Sequence, residues 1–119
     1  MSTYIDGFII PVPKDRIHDY RKCSEFSAQL YREYGALEYR EWVADDTNAG
    51  EMRNFPQLAG LKAHETAVLC WITFNSREHR DEVNAKAMAD ERLAKMCEND
   101  PPFDMRRMAY GGFQQLADS

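Results

Sequence analysis

The chain has 119 residues, 44% of them hydrophobic and 29% charged, which suits one domain over residues 1–119 and excludes two of ordinary size. Fifteen Lys and Arg against twenty Asp and Glu leave a formal charge of −5, and that sign disfavours nucleic acid because it repels phosphate. The longest apolar run, Ala67 to Phe74 broken by Thr73, is far short of the roughly twenty residues that cross a bilayer. Met1-Ser2-Thr3 leads into a strand without an apolar signal region, so the expectation is a cytoplasmic protein that neither enters nor crosses a membrane.

Tyr4-Ile5-Asp6-Gly7-Phe8-Ile9-Ile10 is rich in β-branched and aromatic residues and is followed by Pro11-Val12-Pro13. This reads as a strand that is apolar on both faces and therefore central. From Lys14 the period changes: Ile17, Tyr20, Cys23, Ser27, Leu30 and Tyr34 recur every three or four residues. That spacing predicts an amphipathic helix of about twenty residues closed by Gly35.

Ala36 to Asp46 reads as a second strand, with Leu37, Tyr39, Glu41 and Val43 on one face and Glu38, Arg40, Trp42 and Ala44 on the other. Turn formers follow, and Glu51 to Ala63, with Asn54-Phe55-Pro56 and Gly60, shows no clean period and is read as an ordered excursion with room for a short edge strand. Thr66 to Phe74 is the third strand, also apolar on both faces. Ser76 can cap a helix from Arg77 to about Ala89, and Asp90 a short one from Glu91 to Cys97, ended by Asn99-Asp100-Pro101-Pro102. The last strand is expected at Arg106 to Phe113, with Gly111-Gly112 marking a bend or a close backbone approach.

The order strand, helix, strand, strand, helix, strand is that of a ferredoxin-like split βαβ fold in the α+β class, a four-stranded antiparallel sheet with helices on one face. Two central strands with apolar residues on both faces leave the other sheet face needing a cover. A second copy of the chain supplies one, so a homodimer is expected. Cys23, Cys70 and Cys97 are odd in number and widely spaced, with no Cys-x-x-Cys pair, which fits reduced core thiols.

Tyr4-Ile5-Asp6-Gly7-Phe8, Tyr34-Gly35-Ala36-Leu37, Trp42-Val43-Ala44-Asp45-Asp46, Trp71-Ile72-Thr73-Phe74 through Arg80-Asp81, and Pro102-Phe103-Asp104 with Arg107-Met108 and Tyr110-Gly111-Gly112-Phe113 together resemble the YbaA-like family of short bacterial proteins of unknown function. The similarity runs from about Tyr4 to Asp118, and the closing block is its most specific part. The resemblance implies the dimeric α+β barrel superfamily, whose members include cofactor-free monooxygenases, isomerases and dye- or haem-handling proteins. It implies no particular reaction, because a shared fold does not transfer a function.

Six residues are candidates for a site. Asp6, a carboxylate within a central strand, needs a partner. Arg107, on a last strand that would lie antiparallel to the first, is the expected one, either as a structural pair or as a pair that also touches a ligand. His79 could serve as a general base alongside Asp6, or be a half-exposed residue of a helix's first turn. Asn84 shares the inward side with Val83, Ala87 and Met88, and either bonds strand backbone or lines a pocket. Trp71 and Tyr110 belong to core and interface or line a cavity for a small aromatic or hydrophobic ligand. No cofactor is called for, and no two histidines have metal-ligand spacing.

Two functions remain open: a homodimeric small-molecule-binding protein, extending to a cofactor-free monooxygenase- or isomerase-like enzyme, or a non-enzymatic dimeric structural or interaction protein. A void large enough for an aromatic ring, lined by at least two of the candidates, favours the first, and a filled interior favours the second.

Overall fold

The computed structural model describes residues 3–119. β1 (Tyr4–Pro13) leads through a 3-10 turn at Lys14–Arg16 into α1 (Ile17–Glu33). Pro11 and Pro13 are tolerated in β1 because its ladder with the last strand stops at Ile9, so that edge asks for no further donor. α1 closes at Gly35, whose φ of 109° lies in the left-handed region, while the Gly35 and Ala36 amides donate to the Arg32 and Tyr31 carbonyls.

β2 (Glu38–Val43) is shorter than the expected Ala36–Asp46, because the Ala36 amide is already used in closing α1. The excursion that follows holds no edge strand. Asn54 instead accepts a hydrogen bond from the Gln57 amide at 2.8 Å and, with Pro56 in the first turn, starts the short helix α2 (Phe55–Ala59), which ends at left-handed Gly60. β3 (Glu65–Phe74) leads to α3 (Arg77–Met88), capped by Ser76. α4 (Glu91–Met96) follows, capped by Asp90.

Asp104 then caps a second 3-10 turn, Met105–Arg107, and only after it comes β4 (Ala109–Gln114). The expected strand start at Arg106 is therefore displaced by three residues, because the Asp104 side chain captures the Arg106 amide at 3.0 Å and holds that stretch in a turn.

The four strands form one antiparallel sheet in the order β2-β3-β1-β4, with β1 and β3 central as their doubly apolar patterns require. Register fixes the faces. Asp6 lies opposite Ile72 and Gly112, Phe8 opposite Cys70 and Tyr110, and Glu41 opposite Cys70. These side chains point to the helices, where Ile10, Val12, Val68, Phe74, Leu30 and Val83 are buried. The alternate residues Ile5, Gly7, Ile9, Leu69, Trp71, Trp42 and Phe113 share the opposite face.

No helix covers that second face over its middle, and there Trp42 and Phe113 are about half exposed. A radius of gyration of 15.0 Å and a shortest dimension of 20 Å describe a flat molecule, against a radius of about 13.5 Å expected for a globule of this length. The apolar second face is therefore left open over its middle.

Candidate functional site

Helices and sheet enclose a cavity of about 620 Å³, within the size range of small-molecule sites. Its floor is Phe8, Ile10, Tyr39, Glu41, Cys70 and Ile72 from the strands, and its walls are Tyr20, Cys23, Ser24 and Tyr31 from α1, Asn84 and Met88 from α3, and Leu93 and Met96 from α4. Phe103 and Met108 close one side, while the exposed Met88, Met105 and Tyr110 ring the opening. Most of the lining is apolar or aromatic, with a few polar groups gathered at two places.

The first is Asp6. Its side chain is 1% exposed, so its charge needs both hydrogen bonds and a counter-charge. Arg80 supplies the charge, donating from Nη1 to Oδ1 at 2.9 Å. The Tyr110 hydroxyl donates to the same oxygen at 3.1 Å and Asn84 Nδ2 to Oδ2 at 3.0 Å. Arg80 is in turn held by Tyr4, whose hydroxyl accepts from Nη2 at 3.2 Å and whose ring lies 5.0 Å below the guanidinium carbon, a cation–π contact. Asp81 sits 2.8 Å from Arg80 Nε, but out of line with its N–H, which has no hydrogen-bond acceptor; that contact is ionic only. Burial and the neighbouring Asp6 push the Tyr110 phenol above its ordinary range, so it stays a donor.

The second is Glu41 on β2. Tyr20 donates to Oε1, while Ser24 at 2.5 Å and Tyr39 at 3.0 Å donate to Oε2. Burial first, and then the Glu41 charge, push the Tyr20 and Tyr39 phenols far above their ordinary range, and burial pushes Tyr31 up to about 12. The thiols of Cys23, Cys70 and Cys97 are all raised by burial, which leaves them protonated and poor nucleophiles.

Of the six residues singled out by sequence, Asp6, Asn84 and Tyr110 meet at one point of the cavity. Arg107 does not join them, and the expected Asp6–Arg107 pair is replaced by Asp6–Arg80. Held in the 3-10 turn ahead of β4, Arg107 instead binds Glu65 in a bidentate fork, donating to Oε1 at 2.7 Å and Oε2 at 2.5 Å, and donates to the Gly60 carbonyl at 3.0 Å. Trp71 lies opposite Gly7, on the uncovered sheet face, where its ring centroid is 5.5 Å from that of Trp42; it cannot line the cavity. His79 is outside the cavity too: its Nδ1 accepts from the Asn75 amide at 2.9 Å and its ring packs edge-on against Phe74.

Glu41 was missed by sequence reasoning, and Arg80, within two turns of His79 and Asn84, was given no role. For Glu41 a signal existed, a carboxylate alternating with Leu37, Tyr39 and Val43 on one strand face. Arg80 sits in a first turn crowded with charges, and nothing local marked it as the partner of Asp6.

A family described as "Protein of unknown function (DUF1428)" has a sequence profile matching residues 3–105. The chain belongs to this family. Uncharacterized protein YbaA of Escherichia coli strain K12 is 38% identical over 115 residues, covering 97% of this chain and 97% of that protein, and YbaA of Shigella flexneri matches with the same figures. The family profile ends before β4, whereas the alignment with YbaA is nearly full length. A crystal structure of a NIPSNAP family protein of unknown function from Agrobacterium tumefaciens superposes with a TM-score of 0.63, covering 98% of this chain and 91% of that one at 15% identity. The likeness places the two in one fold, a four-stranded antiparallel α+β sheet with helices.

Proposed function

We propose that this protein binds a small, largely apolar or aromatic molecule between its sheet and helices, and works as a homodimer. The observation that carries the reading is the cavity of about 620 Å³ itself, open on one side and lined by Asp6, Asn84 and Tyr110. A purely structural polar cluster fixing register would be packed over. The Asp6 carboxylate already accepts three hydrogen bonds, and among the described residues the lining holds no histidine and no activated thiol. The arrangement therefore supports recognition before it supports acid–base catalysis by Asp6 or His79. The second copy would cover the Trp42, Trp71, Leu69 and Phe113 face, which leaves the cavity on the outer side of each sheet. Cytoplasmic residence belongs to the same reading and is supported by three free thiols.

A thermal-shift screen of aromatic and hydrophobic compounds tests the reading, because a ligand at a hundred times its Kd adds about 2.7 kcal/mol to the native state. Compounds that raise Tm should lose their effect in Cys23→Trp, which puts a large ring at a half-buried wall position of the cavity. A screen in which nothing stabilises the wild-type chain, or in which Cys23→Trp responds equally, would overturn it.

A further inference from the structure

The charges around the cavity are unbalanced. Its lining contains two carboxylates, Asp6 and Glu41, and no Lys, Arg or His. Arg80 reaches Asp6 from behind the lining and neutralises it. Glu41 has no such partner among the described residues: its three contacts are hydroxyls, which solvate a charge without cancelling it. One of those donors serves Oε1 and two serve Oε2, so a carboxylate with about four acceptor positions keeps one in reserve on Oε1. Its phenol neighbours stay protonated and cannot be displaced as anions.

The surroundings of Glu41 are aromatic. Tyr20 and Tyr39 touch it, and Tyr31 stands beside Tyr39 with ring centroids 5.8 Å apart. Electron-rich rings around an uncompensated carboxylate form a site whose preferred occupant is a cation with an apolar body. Met88, Met96, Met105 and Met108 line the rest of the cavity and its mouth, and such side chains adapt to varied apolar shapes.

We infer that the ligand carries a cationic nitrogen, a protonated amine or a quaternary ammonium on an aromatic or alkyl body, with Glu41 as its counter-ion and Tyr20, Tyr31 and Tyr39 around it. This rests on the reading of the cavity as a ligand site. The same charges reject carboxylate ligands, which would face the uncompensated Glu41 and no free base.

Calorimetry on the full chain with three matched probes tests the inference: phenethylamine, the neutral 2-phenylethanol and the anionic 3-phenylpropionate. Phenethylamine should bind at least about tenfold more tightly than 2-phenylethanol, the range that one cation–π and ion-pair site supplies, and 3-phenylpropionate should not bind. Glu41→Gln should erase the preference for phenethylamine over 2-phenylethanol. Amide NMR shifts induced by phenethylamine should centre on Ser24 and Glu41. Equal or tighter binding of the alcohol or the acid overturns the amine assignment and leaves the cavity reading intact. Shifts centred on Trp42 and Trp71, or no binding by any probe, remove the inference together with that reading. If Glu41→Gln does not fold, the wild-type series and the NMR map decide alone.

Discussion

The Tyr4 ring occupies the space that a side chain at position 112 would need. A Cβ built on Gly112 would fall 2.9 Å from Tyr4 Cζ and 3.0 Å from Cε1, and closer still to the hydroxyl. Tyr4 and Gln114, not Gly112, are register partners, so the ring runs diagonally across β4 to reach Arg80. Glycine at 112 is thus what lets β1 present a phenol to the guanidinium that neutralises Asp6.

Gly112→Ala should therefore displace Tyr4, break its hydrogen bond and cation–π contact with Arg80, and lower stability by about 1–3 kcal/mol. Urea unfolding midpoints read this directly. Tyr4→Phe in the Gly112→Ala background should add little to the loss, and an unchanged midpoint for Gly112→Ala would show that the ring is not confined.

The ion pair of Asp6 and Arg80, with side chains 1% and 13% exposed, should be strongly coupled. Asp6→Asn and Arg80→Met each strand a charge and should cost about 3–5 kcal/mol, while the double variant should cost much less than the sum. Asp6→Asn combined with Arg107→Met should be additive within about 0.5 kcal/mol, since Arg107 serves Glu65. Non-additivity in the second cycle and additivity in the first would reassign the partner.

Arg107 and the Lys62 amide hold the Glu65 carboxyl down to about 2, from an ordinary value of 4.5. A depressed folded value means that this contribution is fully present above about 4.5. It is lost as pH falls toward about 2, where the unfolded chain has taken up a proton and the folded one only begins to. Glu65→Gln should flatten the dependence of Tm on pH between 4.5 and 2, and leave its slope above pH 5 unchanged. A wild-type Tm with the same slope as the variant across that window would contradict the assignment.

The uncovered face predicts self-association. Trp71→Glu places a charge in the middle of Trp42, Leu69 and Phe113 and should convert a dimer to a folded monomer, read by sedimentation velocity alongside unchanged far-ultraviolet circular dichroism. A wild-type chain that stays monomeric at micromolar concentration would remove the dimer from the proposal.

What the sequence determined by itself is the set of features whose signals are local. Alternation with apolar residues on both faces marked β1 and β3 as central, the change of period at Lys14 marked α1, and Ser76 and Asp90 marked the starts of α3 and α4. Helical periodicity placed Asn84 on an inward position, while Asp6 and Tyr110 were named as candidates without a face. Partner choice is not local. Trp71 went to the uncovered face because a strand apolar on both sides does not say which side the helices take, and pairing with Gly7 decided it. Arg107 left the strand because the Asp104 cap held it in a turn. The counter-charge of Asp6 came from Arg80, 74 residues away, and the enclosure of Glu41 from hydroxyls on a helix and its own strand. Those choices depend on how α1 and α3 dock on the sheet, and docking is fixed by the summed burial of many side chains, which no single stretch of chain encodes.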